Sequence, residues 1–493
     1  MRKLLIAFSC IVILNSVNAQ YNKSSAAPAL ASIRVEDLKK DLYDLADAHY
    51  NGRSAGSLDE LKASMWLGEK FRTLGLEPAG DDGSYFQFFT IWRNRISDDS
   101  YVSINNTKLS LWNDVAVSQM ANKTIDAPIV YLGNCASIDM SHIEVKGKVV
   151  ALEANPSGIN LNVSLPTWRY SRNIMLKYGN YLVSKGAVAI IFVADEIAEK
   201  SWADATENFK RGSYDIEGSA NAMVSNTVPV LWVHAATKYD LNSGNATIKA
   251  NLIVEHFPYP SVNIIGKISG TDKALAVEYL LYSGHQDAHG IRNPIHADSI
   301  YYGADDNASV DVAMMANARA FKKNPAKRSI LFVIHGAEER GLLGSRWYSS
   351  HPTVPVKSIV AVLNGDMIGR NNPDSAALLG VQQPHRNSLD LVTMALDANQ
   401  EGPKFKLDTL WDKPSHLEGW YFRSDHLPYA RLGIPSLMYT TLLHPDYHTP
   451  MDNAMNIDYD KLKKMADWMY RTGWKVANAT SRPATDAGFK LER

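Results

Sequence analysis

Cysteine is almost missing from this chain of 493 residues, which holds two, Cys10 and Cys135. Cys10 falls within the apolar run Leu4–Leu14, preceded by Arg2 and Lys3 and followed by Val17-Asn18-Ala19 ahead of Gln20, the pattern of a secretory signal over residues 1–19. Phe8 and Ser9 before Cys10 do not suit a lipid-attachment site. Signal removal leaves Cys135 alone, which excludes any disulfide within the chain and suits export to a periplasm or to the outside of a bacterial cell. A surplus of one charge is missing too: 51 Lys and Arg against 52 Asp and Glu give a net charge of −1. That balance excludes nucleic acid or an anionic membrane as a partner held by bulk charge, so recognition must be local. No apolar run reaches the ~20 residues that span a bilayer, so no stable membrane anchor is expected after signal removal. Repeats and low-complexity segments are absent as well. Several Asn-x-Ser/Thr sequons, among them Asn162 and Asn245, matter only if the source is eukaryotic.

What is present is ordinary globular composition, 45% apolar and 21% charged, over a length that exceeds one compact core. After an Ala- and Ser-rich leader at 20–33, helical spacing predicts one helix from Val35 to His49 and another from Leu58 to Leu74, closed by Gly75. Between them Arg53 sits in a Gly- and Ser-rich turn, either as a solvated loop cation or near a substrate. From about residue 108 to 258 the chain turns β-rich, with strands expected over Val145–Leu152, Ala187–Val193 and Asn226–Val233, a helical stretch from Tyr178 to Lys185, and no cluster of ligand-type residues. Thereafter strands alternate with helices: Pro260–Gly266, Ala276–His285, a helix over 308–322, then Ser329–Ile334, Ser358–Leu363 and Ile434–Tyr439. This alternation predicts an α/β fold, a mostly parallel or mixed sheet sandwiched by helices, with a β-rich α+β insert.

Where those apolar runs stop, metal-ligand residue types begin. Ser-Gly-His285-Gln-Asp287, Gly-Ala-Asp-Asp306-Asn-Ala-Ser, Gly-Ala-Glu338-Glu339-Arg-Gly-Leu-Leu-Gly-Ser, Asn-Gly-Asp366-Met-Ile-Gly and Asp-Tyr447-His448-Thr-Pro follow in order. Singly, each has a bland account: Asp306 as an N-cap, Glu338 and Glu339 as acids at a helix start, a His as a polar strand end. Together they place His and carboxylates at corresponding strand ends, as an α/β enzyme builds a metal site.

These blocks, most sharply over residues 260–455, resemble the co-catalytic dizinc exopeptidases, a family that includes bacterial leucine aminopeptidase, aminopeptidase S, glutamate carboxypeptidase and the transferrin-receptor ectodomain. The resemblance implies a zinc-exopeptidase catalytic domain in two parts, 20–107 and 259–493, interrupted at 108–258 by a protease-associated insert. It implies two Zn2+ per chain, with Asp306 bridging, His285 and Asp366 completing one ion, and Glu339 and His448 the other. Asp287 would orient His285, and Glu338 would act as general base toward a water activated by both zincs. Tyr447 would donate to the oxyanion, or else pack as a strand-end aromatic. Arg423 would contact a substrate terminus, while Asp425 and His426 brace the loop. His289, His296, His335 and His444 match no ligand position and are expected to be structural. Asn307, although a sequon, is expected to be buried at the site. Two residues depart from the family pattern: Val310 replaces a frequent Gly, and Gly365 stands where a bulkier apolar residue is common.

The function implied is a secreted or periplasmic zinc aminopeptidase acting on peptides. A dipeptidase or carboxypeptidase on the same site is the alternative, ahead of a receptor-like protein that has lost its ligands, or a one-zinc glutaminyl cyclase. Acidic metal-adjacent blocks, with Arg423 as the one arginine set to face substrate, favour recognition of a free ammonium. Cations from the insert would favour a carboxylate. Oligomeric state and side-chain preference are left open.

Overall fold

The computed structural model describes residues 27–134, 142–153, 175, 179–217, 228–416 and 418–491. The secretory-signal stretch, Cys135, Asn162, and the starts of the expected elements at Tyr178 and Asn226 lie outside these residues.

Two large sheets organise the chain, one of ten strands and one of eight. In the larger, nine strands are β1 (Phe86–Ile96), β2 (Ser213–Ile216), β3 (Val254–Ile268), β4 (Tyr279–His285), β5 (Ser329–His335), β6 (Ile359–Gly365), β7 (Ser375–Leu379), β8 (Lys406–Asp408) and β9 (Ser436–Thr440). They lie in the order β8-β7-β9-β6-β4-β5-β3-β1-β2, with Glu77–Pro78 added on β3. The four central strands β9, β6, β4 and β5 are mutually parallel, and β3, β1 and β2 continue antiparallel. Strands β5 and β6 are buried at every position, as strands covered on both faces must be.

The period of two within the strands sorts side chains between the covering layers. Leu280, Tyr282, Ile330 and Phe332 pack under helices α1 (Val35–Leu45), α2 (Leu58–Thr73) and α3 (Ser309–Lys323), in one core with later helices of that face. Their neighbours Leu281, Leu331 and Val333 face Tyr348 of α4 (Leu343–Ser350) and, beyond α5 (Leu389–Glu401), Tyr429 of α6 (His426–Arg431). The last helix, α7 (Tyr459–Asn478), seats Trp468 and Met469 in the first core. The mixed sheet sandwiched by helices is the fold class expected from the sequence. One helix boundary differs: α1 stops at Leu45 rather than His49, because the Asp47 carboxylate accepts the His49 N–H at 2.9 Å and starts a separate turn.

The eight-stranded sheet is built between Tyr101–Ile104 and Thr247–Leu252, with apolar clusters on either side. It starts seven residues ahead of 108, at Tyr101. Strand β2, from within 108–258, instead extends the larger sheet along β1.

Arg53 is neither solvated nor aimed at a cleft. It is fully buried and donates to four carbonyls: Nε to Gln286 at 2.7 Å, Nη1 to Leu45 at 3.0 Å and Tyr302 at 2.8 Å, and Nη2 to Gly303 at 2.9 Å. Its guanidinium ties the end of α1 to the loop after β4 and to the turn that starts α3.

The two departures from the family pattern prove to be one packing unit. A Cβ on Gly365 would stand 2.8 Å from Val310 Cγ1, and one on Gly284 would stand 2.7 Å from the same methyl. The larger Val310 on α3 is therefore accommodated by bare backbone on β6 and β4. Gly365→Ala is expected to destabilise the protein by about 1–3 kcal/mol through overpacking. Adding Val310→Ala should recover most of that loss in urea unfolding, whereas additive losses would show that the two positions are independent.

Candidate metal centre

Because β9, β6, β4 and β5 run parallel, the loops leaving them open on one side of the sheet, and the ligand-type residues lie in those loops. His285 ends β4, Glu338 and Glu339 follow β5, Asp366 follows β6, and His448 lies in the loop after β9. Asp306 comes from the turn that starts α3. Its carboxylate stands between two imidazoles, Oδ1 3.3 Å from His285 Nε2 and Oδ2 3.0 Å from His448 Nε2. Glu339 Oε1 is 3.2 Å from His448 Nε2, and Glu338 Oε2 is 3.7 Å from His285 Nε2. His285, Glu338 and Asp366 can converge on one ion, and His289, Glu339 and His448 on another.

The loops are fixed by buried polar contacts rather than by sheet hydrogen bonds. Asp452 accepts the N–H groups of Asp305 at 2.8 Å and Asp306 at 3.1 Å, setting the direction of the Asp306 carboxylate. Asn307 is fully buried: its Nδ2 donates to the Gly365 carbonyl at 3.1 Å and its Oδ1 accepts from Met367 N at 3.2 Å. That pair locks the Asp306 turn to the Asp366 turn and gives Asn307 the buried place expected of it.

Asp287 acts differently from the expectation. Its carboxylate accepts the backbone N–H of Glu338 at 2.9 Å and of Glu339 at 3.2 Å, so it holds the two glutamates in register. The His285 ring is oriented instead by the Asp287 backbone carbonyl, 3.1 Å from Nδ1, with the nearer carboxylate oxygen at 3.7 Å.

Arg423 is also committed. Nη1 donates to Glu418 at 2.7 Å, Nη2 donates to the Tyr447 hydroxyl at 3.0 Å, and the guanidinium lies 4.4 Å over the Trp420 ring. It therefore positions Tyr447, whose ring stacks on His448 at 3.6 Å. Asp425 is wholly buried at the start of α6, with neither carboxylate oxygen in a hydrogen bond among the described residues. His335 bridges Asn263 and Tyr429, and His444 lies 3.5 Å from Asp305, both in supporting places. His296 occupies the turn between Gly290–Ile295 and Asp298–Tyr301, away from this cluster.

His289 does not fit the structural role expected of it. It is buried, with Nε2 3.2 Å from Glu339 Oε2 and its ring edge-on to His448 at 3.8 Å. The signal was present in the sequence: His285, Asp287 and His289 alternate, and an extended chain turns alternate residues to one side. Asp305 and Asp452 had no comparable signal, since their roles arise only from the close approach of two distant loops.

The electrostatics describe a site short of positive charge. Burial pushes Asp366 up to about 8, with the neighbouring Asp306 adding to the shift. Burial also raises Glu338 well above the carboxylate range, against the pull of His285 and with Glu339 and Asp366 reinforcing it. Asp425 and Asp452 are each pushed up to about 7, chiefly by burial. Asp306 alone goes the other way, because hydrogen bonds from His285 and His448 outweigh its burial and hold it below the usual range. Burial drives His289 well down, so it is the neutral imidazole that a cation requires. Divalent ions would supply the missing charge, and the donor set of imidazole and carboxylate without thiolate fits them.

Known proteins agree with this geometry. The family model described as peptidase family M28 matches residues 263–472, the span holding every residue of the cluster. Aminopeptidase YwaD of Bacillus subtilis (strain 168) is 29% identical over 199 residues, 38% of this chain and 42% of that protein. The chain thus spans less than half the length of that relative. A probable zinc metalloprotease of Pyrenophora tritici-repentis is 23% identical over 327 residues, 55% of this chain and 73% of that one. Among solved structures, an aminopeptidase from Aneurinibacillus sp. strain AM-1 superposes with a TM-score of 0.59 at 19% identity, covering 92% of this chain and 96% of that one. BSAP, a zinc aminopeptidase from Bacillus subtilis, gives 0.57 at 18% identity, covering 90% and 96%. At such identities the two structures speak for the fold, while the sequence match over the ligand loops speaks for descent. Through residues 263–472 the chain matches the model of peptidase family M28.

Proposed function

We propose that the protein is a secreted or periplasmic dizinc aminopeptidase that removes N-terminal residues from peptides. The observation that carries this reading is the Asp306 carboxylate, one oxygen toward His285 and the other toward His448. That is the arrangement a carboxylate needs to bridge two ions. His285 and Asp366 would hold one zinc beside it, and Glu339 and His448 the other. Zinc bound there supplies a Lewis acid that polarises the scissile carbonyl and acidifies a water.

The rest falls to the chain's own groups. Glu338, fixed through its backbone by Asp287 and next to His285, accepts the water proton and returns it to the leaving amine. Its raised proton affinity in the metal-free pocket falls once cations stand beside it, leaving it poised to exchange a proton. Burial keeps the Tyr447 phenol protonated, and Arg423 holds its oxygen, so Tyr447 can donate to the developing oxyanion. The carboxylates around the cluster suit a free α-ammonium. Residues 1–19 as a secretory signal support export, and among the described residues no helix is long and apolar enough to cross a membrane. The separate eight-stranded sheet, which begins at Tyr101, supports reading the region around 108–258 as the protease-associated insert.

A dipeptidase reading has one observation in its favour. Arg211 from the insert, Arg292 and Arg340 lie close enough to repel one another on the Glu339 side, and none pairs with a carboxylate among the described residues. Arg292 lies 5.5 Å over the ring of Tyr301, which lines the cavity at the cluster, and Arg340 lies 5.3 Å over Tyr214. Such a group could take the carboxylate of a short peptide.

N-acetylation of a good peptide substrate is expected to abolish cleavage, and C-terminal amidation to change it little. Strong loss on amidation, relieved in Arg292→Ala, would instead favour the dipeptidase. Glu338→Gln should keep its metal content and lose ~10²–10⁴-fold in kcat. Near-normal turnover would remove Glu338 from the role of base.

The metal-free protein should lose stability as pH rises from the ordinary aspartate value of 3.8 to about 8, because folded Asp366 keeps a proton that the unfolded chain has already released. Glu338, Asp425 and Asp452 act in the same direction, whereas Asp306, held below its ordinary value, affects stability only at lower pH. Added zinc should therefore raise the Tm more at pH 8 than at pH 5; equal shifts would speak against buried protonated carboxylates.

A further inference from the structure

His289 is held in place from behind. The N–H groups on either side of it, Ala288 and Gly290, donate to the Arg53 carbonyl at 3.2 Å and the Gly52 carbonyl at 2.9 Å. Gly290 has a φ of +76°, and a Cβ there would stand 2.7 Å from Ser54 Cβ, so the backbone behind the ring is packed closely against the Arg53 turn. The ring is 8% exposed, lines the cavity at the cluster, and has neither nitrogen in a hydrogen bond among the described residues. A buried imidazole with two idle nitrogens is rare unless something absent from the protein itself occupies one of them.

The spacing says what that would be. Ligand atoms ~2.0–2.2 Å from a tetrahedral zinc stand roughly 3.3–3.6 Å from each other. Here Asp306 Oδ2 to His448 Nε2 is 3.0 Å, His448 Nε2 to Glu339 Oε1 is 3.2 Å and His289 Nε2 to Glu339 Oε2 is 3.2 Å, each a little under that span, and one donor atom from each of His289, Glu339 and His448 lies within 4.8 Å of the other two, close enough to share one ion. We propose that His289 is a fourth protein ligand at the Asp306–Glu339–His448 position, and that the two metal positions are consequently unequal. The proposal rests on the two-metal reading above. One position is enclosed by four protein groups, as in structural zinc sites. The other, with Asp306, His285 and Asp366, keeps places open beside Glu338, as catalytic sites do. The enclosed position should fill first and empty last.

The test is metal retention by the full chain, read by elemental analysis during dialysis against chelators of increasing strength and by the visible spectrum of the Co2+ form. Wild type should lose one equivalent early and one late, with a tetrahedral Co2+ absorption from the late one. His289→Phe, which keeps ring volume without a donor, should release both equivalents together, the late one weakened by at least ~10–100-fold. His289→Cys, which restores a donor, should bring late release back. Circular dichroism and the Tm of the metal-free variants check that the fold is kept. Two equivalents in wild type with unchanged late release in His289→Phe would overturn the assignment and leave the two-metal reading standing. One equivalent or none in wild type would overturn the two-metal reading itself.

Discussion

Carboxylates from Asp306, Glu338, Glu339 and Asp366 share one cleft with the imidazoles of His285, His289 and His448, all at most slightly exposed. So much negative charge in so little water is costly unless protons or cations neutralise it. The protein answers in two ways at once: several carboxyls are pushed toward the protonated form, while Asp306 stays ionised between two rings. The whole design of the loops follows from keeping these groups close in spite of their repulsion. Asp287, Asn307 and Asp452 do this through backbone N–H and carbonyl groups, which cannot swing away as side chains can.

Support extends outward from there. Arg53 reaches furthest, joining segments that precede and follow the eight-stranded sheet in the chain. Beneath the ligand-type residues, Val310 fills the space left by Gly284 and Gly365, so that α3, which follows the Asp306 turn, sits at a fixed height over β4 and β6. Arg423 performs the corresponding service on the other flank by holding Tyr447 against His448.

Much of this could be read in the sequence, for definable reasons. Apolar runs that stop at His285, Glu338 and Asp366 mark strand ends, and strand ends in a parallel sheet share a side, so the ligand blocks were legible as one site. The layered fold followed from strands alternating with helices. Roles that depend on a partner far along the chain were not legible. Arg53 looked like a loop cation because its four carbonyl partners belong to turns whose placement only the fold decides. Arg423 looked free for substrate because Glu418 and Tyr447 approach it only in space. His289 matches no ligand position of the resembled family, although its alternation with His285 and Asp287 puts it on their side of an extended chain.

The Arg53 staple also bears on the order in which the molecule can be assembled. Its acceptors on Gln286 and Gly303 lie 233 and 250 residues further along the chain. During synthesis the arginine emerges long before the carbonyls that will enclose it, and the eight-stranded sheet is made in the interval. The contacts that tie the loop after β4 and the Asp306 turn to the end of α1 are therefore among the least local in the molecule, the kind whose closure entropy must be met before they contribute. Until then the Arg53 guanidinium lacks the carbonyls of Gln286 and Gly303, and the turn that carries Asp306 lacks its tie to α1.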